Sequence, residues 1–277
     1  MVKPLKMFLY LLILSSIGGF FKVLGGIVGG SKSVLVDALT SIANTVAIIM
    51  MYRFFNISIE PPDEDHHYGH HKIGLGGPIS TLMLYSFVAG IIVIDLYEAF
   101  GRSYRVDLAA SLFACAGLLP YGIAIALSRR LGGTGIYYAR FTVVEIIESA
   151  VTIATAFAGA VISYLIDFVG AIALSGYLFI ELTKSFKEVL EYASDVASKD
   201  VVRDLRSILG SYGINVERIR VRRIAENLYQ GDAIVKLPPN ISVEKAHQLI
   251  DKVEKDIKAK LNTEIVIHIE PEKRWQS

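Results

Sequence analysis

The chain has 277 residues, 53% of them hydrophobic, and a formal net charge of +1. So apolar a composition excludes an ordinary soluble domain, and so small a net charge gives no electrostatic case for nucleic acid as a partner. Charge is segregated along the chain instead. Residues 1–190 are largely apolar, and residues 191–277 carry most of the Lys, Arg, Asp and Glu. That division implies one part in lipid and one in water.

A bilayer span takes about 20 mostly apolar residues. Six stretches qualify: 7–29, 34–57, 73–100, 108–127, 136–164 and 166–186, the last two nearly touching at Leu165–Asp167. The first apolar run continues past Val28 with no small-residue cleavage site, so a retained helix is expected rather than a signal peptide. The single Cys115 excludes an intramolecular disulfide and a Cys-based zinc site within one chain. With the N-terminus inside, Lys3, Lys6, Arg53, Lys72, Arg129, Arg130, Arg140, Lys184 and Lys187 fall on the inner side. Only Lys32, Arg102 and Arg105 fall outside. The positive-inside rule then places both termini in the cytoplasm of a multi-pass cell-membrane protein.

Ionisable groups in a span cost about 2.5–3.5 kcal/mol each, so each needs a reason. The second span carries Asp37, Thr40, Ser41 and Asn44, and spacings of three and four place Asp37, Thr40 (or Ser41) and Asn44 on one stripe. The fifth span repeats the pattern with Glu145, Glu148, Ser149 and Thr152. Two such stripes facing each other make an oxygen-rich site that suits a hard ion such as Mn²⁺, Fe²⁺, Mg²⁺ or Ca²⁺. The structural alternative is that Ser and Thr bond back to their own helix and that Asn44 joins helices. Asp37 lies nearer the outer end, where its cost is lower. Asp95 in the third span is a lone acid, either a proton relay or the partner of an inward-facing cation.

The loop after the second span reads Pro61-Pro62-Asp63-Glu64-Asp65-His66-His67-Tyr68-Gly69-His70-His71-Lys72 and holds four of the six histidines. Imidazoles and carboxylates packed this densely bind divalent transition metals. Asp63, His66 and His70 would converge on one ion from a helical turn, with His67 and His71 as further ligands. A metal-binding loop between two membrane helices points to a protein that moves metal ions.

Beyond about residue 192 the pattern changes. A helix is expected at 200–211, strands at 216–222 and 231–237, a turn at Pro238-Pro239-Asn240, a helix at 242–261 capped by Ser242, and a strand at 263–269. The order αββαβ makes a small α+β domain with its helices on one face.

Several motifs together resemble the cation diffusion facilitator transporters over nearly the whole length. They are Ser33-x-x-x-Asp37-Ala38-x-x-Ser41, the Asp63-x-x-His66-x-Tyr68-Gly69-His70-x-Lys72 loop, Tyr97-Glu98-Ala99, Ala246-His247 and Val266-Ile267-His268-Ile269-Glu270-Pro271. The resemblance implies a homodimer. Each chain would have a six-helix transport domain (1–190) and a ferredoxin-like cytoplasmic dimerisation domain (191–277). The implied activity is efflux of a divalent ion (Zn²⁺, Mn²⁺, Fe²⁺ or Co²⁺) in exchange for protons.

The family's transport site pairs two residues four apart in the second span with a His and an Asp four apart in the fifth. By resemblance these fall on Thr40 and Asn44, and on Val144 and Glu148 or, in another register, Phe141 and Glu145. No His stands there, so the expected cargo is Mn- or Fe-like rather than strictly Zn, with Asp37 and Glu145 completing a displaced site. His247, His268 and Glu270 match ligands at the family's dimer seam. The two remaining His positions fall on Arg220 and Lys236, whose fixed charges replace a metal's, so the domain is expected to dimerise with little or no metal. Lys72 and Asp195 match a salt bridge that helps to hold the dimer.

The implied cycle is alternating access, with metal entering through the loop. Burial disfavours a charged carboxylate, so Glu148 is expected to carry the counter-proton. Two rival readings stand. One is a non-transporting, metal-binding relative acting as a dimer partner or sensor. The other is an unrelated membrane enzyme, against which the spans carry no nucleophile–base pair and no zinc-protease motif.

Overall fold

Six long helices come first: α1 (Pro4–Val28), α2 (Lys32–Ser58), α3 (Gly76–Ala99), α4 (Leu108–Leu131), α5 (Thr134–Val161) and α6 (Tyr164–Ala193). A short 3-10 turn, His71–Leu75, precedes α3. The computed structural model describes residues 4–131, 134–196, 198–225 and 228–272, and the side chains of 4–7, 125, 127–144 and 225 lie outside the description. Lys3, Lys6, Arg129, Arg130, Arg140, Phe141 and Val144 therefore fall outside it. Among the described residues, Phe8–Val28, Lys32–Ser58, His71–Ala99 and Tyr164–Ala193 are long and apolar enough to cross a membrane, and Leu108–Ala124 is a shorter apolar stretch. Phe20, Met83, Phe87, Leu112 and Leu119 are exposed. Such large apolar groups are a liability in water and ordinary against lipid tails.

The chain divides into two compact units, one holding the helices without residues 58–72, the other holding Ser58–Lys72 with Glu188 onward. In the helical unit α2 is shared between two cores. Val36 and Ala43 pack with Val88, Ala89 and Ile92 of α3 and with Ala171, Leu174 and Leu178 of α6. Val34 packs with Ala110 and Ala114 of α4 and Ala156 of α5. Helix α1 lies flush on α4, because a Cβ on Gly117 would stand 2.8 Å from the Gly18 carbonyl oxygen. Small residues permit this approach where no hydrophobic force drives helices together.

The break between the last two spans falls at Ile162–Ser163, not at Leu165–Asp167 as the sequence suggested. Unbroken apolarity gave no marker there, and the Ser163 hydroxyl accepts from the Leu165 amide to start the new turn. Asp167, fully buried on α6, then reaches the start of α2. It accepts from Ser31 Oγ and Ser33 Oγ at 2.6 Å, from the Lys32 amide at 2.7 Å and from Tyr104 at 3.0 Å. A carboxylate on a helix's first amides complements its dipole, so α2 is fixed at its N-terminus.

The second unit contains α7 (Lys199–Ser211), β1 (Asn215–Ala225), β2 (Leu228–Leu237), α8 (Val243–Leu261) and β3 (Thr263–Pro271). The sheet order is β1-β2-β3, with β1/β2 antiparallel and β2/β3 parallel. The parallel pair needs a crossover, and α8 supplies it. Ala246, Ile250, Val253 and Ile257 recur at helical spacing on α8 and are buried. They meet Ala233, Val235, Ile265 and Ile267 of the sheet and Leu205 and Leu209 of α7. Each Val, Leu or Ile among them contributes about 1.5–3 kcal/mol when fully buried. Ser198 and Ser242 cap the two helices by accepting from the amides of Val201 and Lys245, each cap worth about 1 kcal/mol.

Candidate metal sites in the helices and the connecting loop

Helices α2 and α5 face each other with an acid and a serine four residues apart on each. Ser149 donates to Asp37 at 3.3 Å, Ser41 donates to Glu145 at 3.4 Å, and Asn44 donates to Glu145 at 2.9 Å. Carboxylate oxygens of Asp37, Glu145 and Glu148 lie within 4.8 Å of one another. A cavity of about 10 Å³ opens between Val36, Asp37, Thr40, Glu148, Leu174 and Leu178, enough for one water-sized occupant. Among the described residues no hydrogen bond reaches the Glu148 carboxylate, whereas the other two are held on several sides. Thr152, one turn beyond Ser149, has its hydroxyl buried without a partner.

Three carboxylates this close in a buried site need a cation, and Lys22 of α1 supplies one. Its ammonium stands 2.8 Å from Asp37 and 3.4 Å from Glu145. It also donates to Ser41 at 3.0 Å and lies 4.7 Å from the centre of the Tyr121 ring. The side chain is wholly buried. Sequence reasoning passed over this residue, although the signal existed: an ionisable group in the middle of a 25-residue apolar helix.

Among the described residues, the four-apart pairs that bond across are Asp37/Ser41 and Glu145/Ser149, while Val144 and Phe141 of the inferred pairings lie outside the described side chains. Thr40 donates back to the carbonyls of Val36 and Asp37 and borders only the Glu148 cavity, while Asn44 touches the cluster at its edge. Asp37, expected at a cheaper position near the outer end, is 2% exposed. Asp95 is not alone, because Lys32 stands 2.6 Å from it.

In the loop, Asp63, His66 and His70 form a second three-ligand cluster with ligand atoms within 4.8 Å of one another. They converge through a tight reversal rather than the helical turn expected. The Gly69 amide donates to the His66 carbonyl at 2.9 Å, and Gly69 adopts φ 78°, a conformation that a side chain resists. One Asp63 oxygen accepts from the His66 amide at 2.7 Å and faces His66 Nδ1 at 3.2 Å, while the other faces His70 Nε2 at 3.2 Å. The His66 amide is the main reason that the Asp63 carboxyl sits below its ordinary pKa of 3.8. His67 and His71 stay outside this cluster.

Lys72, at the loop's end, pairs with Asp195 at 2.8 Å, and Arg222 reaches the same carboxylate at 3.4 Å. Asp195 holds a positive φ of 56°, which Asp tolerates better than most residues. The Lys72 hydrogen bond is the main cause that lowers its pKa.

The remaining candidates lie on β3 and α8. His247 pairs with Asp251 at 3.0 Å, and with Glu270 it lines a cavity of about 520 Å³. His268 is on the exposed side of β3. Among the described residues these three form no ligand cluster within one chain. Arg220 pairs with Asp232 at 3.0 Å and Lys236 with Glu217 at 3.1 Å.

Comparison with known proteins matches both units. Residues 8–192 match the cation efflux transmembrane domain, and residues 193–272 match the cytoplasmic domain of cation efflux proteins. The chain is 23% identical over 279 residues to the manganese efflux system protein MneP of Bacillus subtilis, covering 90% of each chain. It is 20% identical over 292 residues to the magnetosome protein MamM of Magnetospirillum gryphiswaldense, covering 95% of this chain and 86% of that one. A 110-residue segment is 29% identical to the cation-efflux pump FieF of Shewanella oneidensis, covering 40% of this chain and 36% of that one. Six long helices, four of them long and apolar enough among the described residues to cross a membrane, a small α/β domain and these matches lead to one statement: the chain belongs to the cation efflux, or cation diffusion facilitator, family of multi-pass membrane transporters.

Proposed function

We propose that the protein is a homodimeric, proton-coupled exporter of a divalent cation of the Mn²⁺/Fe²⁺ class. One observation carries the reading: the buried Asp37–Glu145–Glu148 cluster, which offers hard oxygen ligands and neither imidazole nor thiolate. The name of the relative MneP, a manganese efflux system protein, agrees with it. In this reading Asp37 and Glu145 bind the ion, Thr40, Ser41 and Asn44 supply neutral oxygens, and Glu148, outside the hydrogen-bond network, exchanges the counter-proton. Asp63, His66 and His70 capture the ion in the cytoplasm, with His67 and His71 at the rim.

Both termini are cytoplasmic. Residues 1–190 transport and residues 191–277 dimerise, with the Lys72–Asp195 salt bridge helping to hold the dimer and His247, His268 and Glu270 at the seam. The test is flux into proteoliposomes under a pH gradient for Mn²⁺, Fe²⁺, Co²⁺ and Zn²⁺, with wild type and Glu148→Gln. Mn²⁺ or Fe²⁺ flux that follows the pH gradient and is lost in Glu148→Gln supports the reading.

A second reading has its own observation. Lys22 already satisfies two of the three carboxylates, as it would in a non-transporting relative that binds metal only at the loop. Absence of flux for every ion, with metal still bound at the loop, would favour that reading.

A further inference from the structure

We propose that Lys22 is a tethered counter-cation of the membrane site, so that its ammonium and the transported divalent ion are mutually exclusive occupants of the Asp37–Glu145 pair. The proposal rests on the transport-site reading above and deepens it.

Three features carry it. First, the ammonium stands between the two carboxylates, 2.8 Å from one and 3.4 Å from the other, and also engages Ser41. A divalent ion bridging Asp37 and Glu145 at about 2.0–2.2 Å would sit in the same place, and two cations at contact distance repel strongly in a buried site. Second, the ammonium already has a partner that it can keep when a metal ion takes the carboxylates. The Tyr121 ring lies 4.7 Å away on α4, and an aromatic face attracts a cation without competing for metal. Third, α4 gives the lysine stem room. A Cβ on Gly117 would stand 3.1 Å from Lys22 Cγ, so the stem passes where any other residue would crowd it.

The exchange explains how a membrane-embedded site holds two acids together when empty. It also sets selectivity. An incoming ion must displace an ammonium already satisfied by two carboxylates, and a single positive charge does so poorly. A divalent ion, attracted about twice as strongly at equal distance, does so readily. Lys22 thus acts as a specificity-determining residue through the ligands that it occupies.

The test uses the full-length protein with His66 and His70 changed to Ala, so that the loop does not report. Mn²⁺ affinity and the Mn²⁺-induced rise in Tm are measured for that background, for Lys22→Met and for Lys22→Arg. Lys22→Met is expected to be less stable without metal, to regain stability in saturating Mn²⁺ and to bind Mn²⁺ at least about tenfold tighter. Lys22→Arg, whose planar fork engages carboxylates more rigidly, is expected to stay folded and bind at least about tenfold weaker.

If Lys22→Met does not survive without metal, purification in Mn²⁺ and the Arg variant decide the matter. Unchanged or weaker Mn²⁺ binding in Lys22→Met, or unchanged binding in Lys22→Arg, overturns the proposal. Flux of the otherwise unmodified protein tests the underlying reading separately. Flux without metal rescue leaves the transporter and removes the tethered cation, and rescue without flux does the reverse.

Discussion

The two ligand clusters are of equal size, yet they are built in opposite ways. Asp63, His66 and His70 come from eight consecutive residues of an irregular loop, with Asp63 half exposed and no lysine or arginine among the three. Asp37, Glu145 and Glu148 come from two helices more than a hundred residues apart, and a third helix contributes the ammonium between them. Water screens Asp63 and His66 of the first cluster, and only His70 is buried, so its geometry costs less to maintain. The second has no water to dilute its charge, so its geometry, its counter-cation and the fold around it depend on one another.

The comparison breaks most visibly at Asp37. Asp37→Asn leaves Lys22 buried with half its charge unmatched, and losing one partner of a buried pair costs about 3–5 kcal/mol. A lowered Tm in detergent and loss of flux are expected together. Glu148→Gln separates fold from function. No described hydrogen bond is lost, so the Tm should stay close to that of the wild type while proton-driven flux is lost. His70→Ala should act mainly on binding, with metal affinity at the loop falling about tenfold or more and stability falling by only about 1 kcal/mol for the lost contact of a buried ring with the Pro61 carbonyl, as isothermal titration and a melt would show.

The smallest effect belongs to Lys72 and Asp195. The Asp195 carboxyl is lowered below its ordinary 3.8, chiefly by Lys72. A lowered acid contributes stability that is present above the ordinary value and lost as pH falls through the lowered one. Asp195→Asn should therefore differ from wild type by only about 0–1 kcal/mol at neutral pH, as for other exposed pairs. The difference should vanish in acid, as melts across pH 2–7 would show.

What the sequence disclosed follows the same divide. The loop cluster was legible because its ligands are neighbours in the chain, although the Gly69 reversal replaced the expected helical turn. The six helices were legible from apolar length, and the αββαβ domain from its alternating strands and the Ser242 cap. The membrane cluster was only half legible. Acids at three- and four-residue spacing mark a stripe, but neighbouring positions on a helix differ by about 100°. Thr40 and Ser41 were therefore indistinguishable until α5 showed which side faces it. Lys22 was missed because a lysine reads as a charge to be counted, and not as a ligand's partner, unless the acids across from it are already placed.

The glycines of α1 settle which helix the ammonium travels with. Close approaches to α4 bracket Lys22 on both sides, Gly18 against the Gly117 carbonyl and Gly25 against the Ala110 carbonyl. On the α2 side Gly26 is tight against Leu35, but a Cβ on Gly19 would stand an ordinary 3.7 Å from Ser41 Cβ. Lys22 and Tyr121 therefore stand on two closely packed helices. Any tilt that pivots α1 away from α2 about the Gly26 end lifts the charge off Asp37 while its aromatic rest moves along with it.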